Sequence, residues 1–194
     1  MPTIEQVTKR LFSDKNWLKK CLIGGLLALL PILSFGYLYK IFESGKRGAA
    51  FELPEWNEFQ KLALDGVKFL LILIVFVVLP VALCEWILEV LGRASSIFRI
   101  LWIPLTLLEG PVFCVALYFF SVRGKFKDCF NFSAYEVLLR KGAFEYAVPT
   151  LAFCGLLAVV LLTQLWVLMP FVFFFGGTVY FYIMARIIRS LEIR

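Results

Sequence analysis

Long apolar runs alternate along this chain with short basic, amphipathic stretches, and run length decides what each can be. Residues 21–39 (CLIGGLLALLPILSFGYLY) carry no charge over nineteen positions, enough for one helix to cross a bilayer. Residues 64–91 and 97–121 predict two further membrane segments, joined by the turn Gly92-Arg93-Ala94-Ser95-Ser96. The block 146–185 holds forty residues without a charge. As one helix it would be roughly 60 Å long, about twice the hydrocarbon thickness. It therefore divides into two passes, 146–166 and 169–188, with a turn near Gln164 to Pro170.

The intervening stretches have a different period. In residues 1–20, Ile4, Val7, Leu11 and Phe12 recur at helical spacing among Lys9, Arg10, Lys15, Lys19 and Lys20, the pattern of an interfacial helix. Trp17 is placed to anchor it at the headgroups. Residues 40–62 and 122–144 are basic amphipathic loops. In the first, Leu53-Pro54-Glu55-Trp56 predicts a loop entering a surface helix, with Trp56 and Phe59 dipping into the interface. Phe59-x-x-Leu62-x-x-x-Gly66 also aligns with Tyr135-x-x-Leu138-x-x-x-Gly142, a sparse internal repeat. The expected architecture is all-α: one membrane domain over 1–194, a transmembrane helical bundle of about five segments plus two or three interfacial helices.

Composition agrees with that architecture. Hydrophobic residues are 61% of the 194-residue chain and charged residues 18%, against about 45–50% and 25% in soluble domains. There is no histidine, which removes imidazole acid–base chemistry, Ser-His-Asp and Cys-His nucleophiles, and imidazole ligation of metal. Cys21, Cys84, Cys114, Cys129 and Cys154 form no CxxC pair and read as small apolar side chains. No metal site, no cofactor and no nucleotide-binding glycine motif is expected.

The net charge of +6 implies attraction to anionic headgroups rather than to nucleic acid. Lys and Arg number five in 1–20, four in 40–61, two in 92–99, five in 122–143 and three after 185. The positive-inside rule puts the loops 40–62 and 122–144 and the C-terminus in the cytoplasm, in an inner membrane. The N-terminus conflicts with this. If 21–39 crosses, five bases lie outside; if it is re-entrant at Pro31, seventeen bases face two. A crossing is favoured, because the repeat pairs this segment with 97–121.

Ionisable groups inside membrane helices are costly and mark candidate sites. Glu85 and Glu89 lie four apart, and Arg93 continues their face. Arg99 lies across the turn, and Glu109 sits about a dozen residues into the next segment. Together Glu85, Glu89, Arg99 and Glu109 make a candidate intramembrane polar site for a cation, a proton or a headgroup.

The elements Asp14-x-Asn16-Trp17-x-Lys19-Lys20, Ile23-Gly24-Gly25, Pro31, Gly36-Tyr37, Leu53-Pro54-Glu55-Trp56-x-x-Phe59 and Asp65-Gly66-x-Lys68 resemble a family of small prokaryotic integral membrane proteins of unknown function. Gly124-x-Phe126-x-x-x-Phe130-x-Phe132 and the Pro170-Phe171 helix are similar to it more loosely, and Ala185-Arg186 replaces its usual polar ending. The resemblance implies membrane insertion and a compact helical bundle, and supplies no activity or catalytic residues. The expected role is non-enzymatic: an accessory or scaffold component that binds anionic lipid, a membrane-protein partner or a second copy of itself. The alternative is a small transporter or lipid-handling protein that uses the helices broken at Pro31, Pro80 and Glu109-Gly110-Pro111, with Glu85 and Glu109 at its centre.

Overall fold

The computed structural model describes residues 3–90 and 96–193. Among them there are helices and no strand: α1 (Ile4–Ser13), α2 (Trp17–Leu27), α3 (Pro31–Arg47), α4 (Phe59–Leu73), α5 (Leu79–Val90), α6 (Ser96–Arg123), α7 (Phe132–Leu162) and α8 (Met169–Ile193). A π-helical turn, Ile74–Val78, joins α4 to α5 without a break. Short 3₁₀ turns occupy Phe126–Phe130 and Trp166–Leu168.

Three described helical segments, Phe59–Ile87, Phe132–Leu162 and Trp166–Glu192, are long and apolar enough to cross a membrane. They mark a membrane protein. About five such segments were expected from hydropathy; three occur among the described residues, and side chains 97–106 of the expected segment 97–121 lie outside them. One reason for the difference is local. Residues 21–39 do not form a single helix, because α2 ends at Leu27 and Pro31 opens α3. Proline is accommodated at a first helical position, where no amide hydrogen bond is required. The chain reverses across 28–30, and the Ser34 hydroxyl on α3 donates to the Gly24 carbonyl on α2, 3.1 Å away. The segment is a helical hairpin, in place of the single crossing favoured by the repeat.

The surface helix expected after Pro54 is also absent. Residues 49–58 form an extended connector with one bend, and α4 starts only at Phe59. Over 122–144, the chain makes the Phe126–Phe130 turn and then enters α7 directly, so no separate interfacial helix forms there either.

α1 is held by a capping box. The Thr3 hydroxyl accepts from the Gln6 amide, the Gln6 side chain accepts from the Thr3 amide, and both distances are 3.2 Å. Its Val7 and Leu11 are fully buried while its lysine and arginine side are exposed. α3 packs against α4 and α8, and α8 is the central helix, touching α1, α2, α3, α6 and α7. Phe69, Phe113, Phe181 and Tyr180 form an edge-to-face aromatic series at this centre, 5.0–6.0 Å between rings. The outer faces carry exposed Leu22, Leu26, Leu71, Leu83, Trp86 and Phe144, a surface suited to hydrocarbon rather than water.

Contacts define two ends of the bundle. Lys46 at the end of α3 donates to the Ser121 carbonyl at the end of α6, 2.8 Å away. Tyr118 of α6 donates to the Glu192 carboxylate near the end of α8. Tyr182 of α8 donates to the Ala49 carbonyl, 2.7 Å away. The start of α1, the stretches 40–49 and 122–143 and the C-terminal residues therefore lie toward one end, while Phe12 packs on Phe175 and Trp56 on Phe174, so that Asp14 to Lys20 lie lower, beside the first turns of α8. The 28–30 turn lies toward the other, where Gly25 abuts Phe171 at the start of α8.

Candidate functional site

The residues quoted from the N-terminal half meet at a buried lysine. Asp14 follows α1, and its carboxylate accepts from the Asn16 amide at 2.8 Å, turning the chain into α2. α2 then presents Lys20, whose side chain is 8% exposed. Its ammonium donates to Asp14 at 2.9 Å, to Glu55 at 2.7 Å and to the Leu53 carbonyl at 2.9 Å. Three donors meet three acceptors. The Trp56 indole donates to the Lys20 carbonyl at 3.1 Å, and its ring stacks on Tyr37 at 4.3 Å. The Tyr37 hydroxyl donates to the Pro54 carbonyl at 2.7 Å.

Burial opposes the charge on Lys20, but the hydrogen bonds to Glu55 and Asp14 outweigh it and raise its pKa. The hydrogen bond from Lys20, helped by the Asn16 amide, holds the Asp14 carboxyl below its ordinary value. All of these groups are committed to one another, so the cluster is a brace between α2, α3 and the connector. Trp56 is part of this brace and is half-buried. Trp17 is half-buried with its ring edge-on to Phe12 at 4.8 Å, and Phe59 is 52% exposed.

The basic end holds a second constellation. α3 stops at Gly48, whose φ of 78° lies in the left-handed region, and Ala49 donates back to the Ser44 carbonyl. A Cβ at Gly48 would fall 1.9 Å from an Arg189 guanidinium nitrogen and 2.8 Å from one of Arg186. The bare turn is what lets both arginines lie against it. Between this turn, α1 and α8 is a polar cavity of about 610 Å³, lined by Arg10, Arg186, Gln6, Tyr182 and residues 48–51. Arg10, Arg186 and Arg189 make no ion pair among the described residues. Nearby Glu43 is taken by Lys46 and Arg47, and burial lowers the Lys46 pKa. The arrangement suits an anion: two planar guanidinium forks, Arg10 and Arg186, on a cavity whose lining holds no carboxylate among the described residues.

Of the expected intramembrane site, the three acidic side chains are described. Glu85 and Glu89 are exposed on α5, and Glu109 is half-buried on α6. No hydrogen bond or ion pair joins them among the described residues. Arg93 lies outside the described residues, as does the Arg99 side chain. Asp65 is paired with Lys68 at 2.7 Å, and Lys68 lies 5.9 Å over the Tyr39 ring. No group of three or more Cys, Asp or Glu residues able to hold a metal ion occurs among the described residues. The arginine cavity was missed because Arg10 and Arg186 stand at opposite ends of the chain. The only local signal was the i, i+3 spacing of Arg186 and Arg189 at the end of an apolar helix.

A family model described as "Protein of unknown function (DUF4013)" matches residues 22–171. The chain belongs to this family. No curated protein and no solved structure matches it.

Proposed function

We propose that this member of the DUF4013 family is a non-enzymatic, multi-pass protein of the cytoplasmic membrane that organises anionic lipid at its basic end, as an accessory or scaffold component. The carrying observation is the gathering of basic side chains from α1, α3, the 122–143 stretch and α8 at one end of the bundle, where Arg10 and Arg186 line one cavity and make no ion pair among the described residues. The hairpin made by α2 and α3 supports the assignment of that end to the cytoplasm. It returns the chain to the side it came from, so the start of α1 with Lys9 and Arg10 lies on the side of the other basic stretches, which eases the conflict with the positive-inside rule. The committed state of Asp14, Lys20, Glu55, Asp65 and Lys68 supports a binding role over a catalytic one.

The test is the lipid shell. Native-membrane nanodiscs holding the protein should be enriched in anionic phospholipid relative to the surrounding membrane. Changing Lys125, Lys127, Arg140 and Lys141 together to glutamine should remove much of that enrichment, each base near the surface being worth about 1 kcal/mol. A shell with the bulk composition would end the proposal.

A transport role is favoured by two features, the π turn at Ile74–Val78 above Pro80 and the half-buried Glu109. Under the scaffold proposal, Glu109→Gln leaves lipid enrichment and the cellular phenotype unchanged. Loss of the phenotype in a folded Glu109→Gln protein, with enrichment intact, would decide for transport.

A further inference from the structure

We propose that the arginine cavity is the headgroup site for one anionic phospholipid, whose acyl chain runs down the furrow between α7 and α8 beside α1. This deepens the lipid-organising role above, and rests on it. Arg186 forms one wall of the polar cavity. That residue also lines an apolar furrow of about 390 Å³ with Ile4, Val148, Pro149, Ile183 and Ile187. Ile4, Pro149 and Ile183 in turn line a further apolar cavity of about 130 Å³, which extends to Phe153, Leu156 and Phe175. The three spaces form a series, basic at the bundle's end and apolar below.

The dimensions suit a lipid. From Arg186 to Phe175 is eleven residues of α8, about 16 Å at 1.5 Å per residue and close to one leaflet of a hydrocarbon core about 30 Å thick. A free phosphate or a soluble nucleotide would use the arginines and leave the furrow empty. A neutral lipid would use the furrow and leave the arginines unpaired. An amphiphile with an anionic head satisfies both, and phosphate is the anion that a membrane's own lipids supply. Pro149 shapes the wall, since its ring lines both apolar spaces and its missing amide breaks the α7 ladder there.

Two carboxylates also line the upper furrow, Glu5 and Glu145. Glu5 is paired with Lys9 at 2.6 Å. Their charge disfavours a phosphate within the furrow and directs it to Arg186 at the furrow's mouth, the residue shared with the polar cavity, whose lining holds no acidic residue.

The experiment is native mass spectrometry of the full chain, purified in mild detergent and exchanged against phosphatidylglycerol, phosphatidylcholine or inorganic phosphate. One phosphatidylglycerol per chain should survive exchange, with phosphatidylcholine and phosphate far weaker. R10Q/R186Q should weaken retention about tenfold to a hundredfold, the worth of one or two charge-assisted hydrogen bonds. Ala152, exposed, lines the lower apolar cavity, and Ala152→Trp fills it and should abolish preference for long acyl chains over short ones. Its melting temperature should equal that of the unaltered protein. Equal retention of phosphate and phosphatidylglycerol would reduce the site to a simple anion pocket and overturn the lipid assignment. Retention unaffected by either variant would overturn the location. In R10Q/R186Q nanodiscs, anionic enrichment from the 122–143 bases should persist, so loss of the tight lipid and loss of the anionic shell are separate results.

Discussion

Gly36→Ala should destabilise the protein by about 3 kcal/mol or more, although alanine is the better helix former. α3 and α4 cross at two glycines set against each other's backbone. A Cβ on Gly36 would lie 1.8 Å from the Leu62 carbonyl oxygen, and one on Gly66 would lie 1.8 Å from that of Ile32. The obstructing atoms are main chain within helices, which cannot rotate aside as a side chain would. The helices must separate, and separation strips contact from Tyr37, Leu62 and Phe69, all buried near this crossing. Within a bilayer such close backbone approach is a main source of helix association, because burial from lipid offers little. Intrinsic propensity favours alanine by about 1 kcal/mol and is outweighed. Thermal or SDS-driven unfolding in detergent measures the difference. Gly155→Ala is the control: nothing lies within 4 Å of a Cβ there, so propensity should act alone and leave the protein unchanged or slightly more stable. Equal behaviour of the two variants would mean that α3 and α4 do not meet in this way.

That crossing shows where sequence reading reaches its limit. The apolar lengths of 64–91 and 146–185 were legible because hydropathy is a local property and a bilayer sets the required span. The fate of 21–39 was not legible by hydropathy. A proline in an apolar run can kink a span or open a new helix, and Pro31 opens α3 because Ser34 and Gly24 can bond across the turn. The connector shows the same effect from another side. Trp56 and Phe59 have helical spacing, but Trp56 gains more from a hydrogen bond to Lys20 and a ring stack on Tyr37, partners 36 and 19 positions away. Glu85, Glu89 and Glu109 drew attention by their depth in apolar runs. The arginines drew none, because basic residues at helix ends are common and only the folded chain shows which of them lack an acid.

Lys20→Met should be the other severe lesion, at about 3 kcal/mol, the lower end of the range for removing one partner from a buried ion cluster. The lower end applies because Glu55 is 67% exposed and recovers hydration once its partner is gone, whereas Asp14 is 25% exposed and recovers less. The Leu53 carbonyl also loses its donor, and Trp56, anchored on the Lys20 main chain, loses the support that aligns it with Tyr37. Dependence on pH separates this electrostatic account from simple packing loss. The Asp14 pKa is lowered from 3.8, so its contribution is present above that value and is lost as the pH falls through the lowered one. The Lys20 pKa is raised from 10.5, so its contribution is full below that value and is lost as the pH rises through the raised one. The gap in melting temperature between the unaltered protein and Lys20→Met should therefore be level from about pH 5 to pH 10 and narrow on both sides. Asp14→Asn should show a smaller loss at neutral pH, because Lys20 keeps Glu55, and its gap should likewise narrow on both sides, since the ion pair ends when either partner loses its charge. A gap that stays constant from pH 2 to pH 12 would assign the effect to the lysine's aliphatic stem, and no gap at all would remove the brace from the forces that hold the hairpin to the bundle.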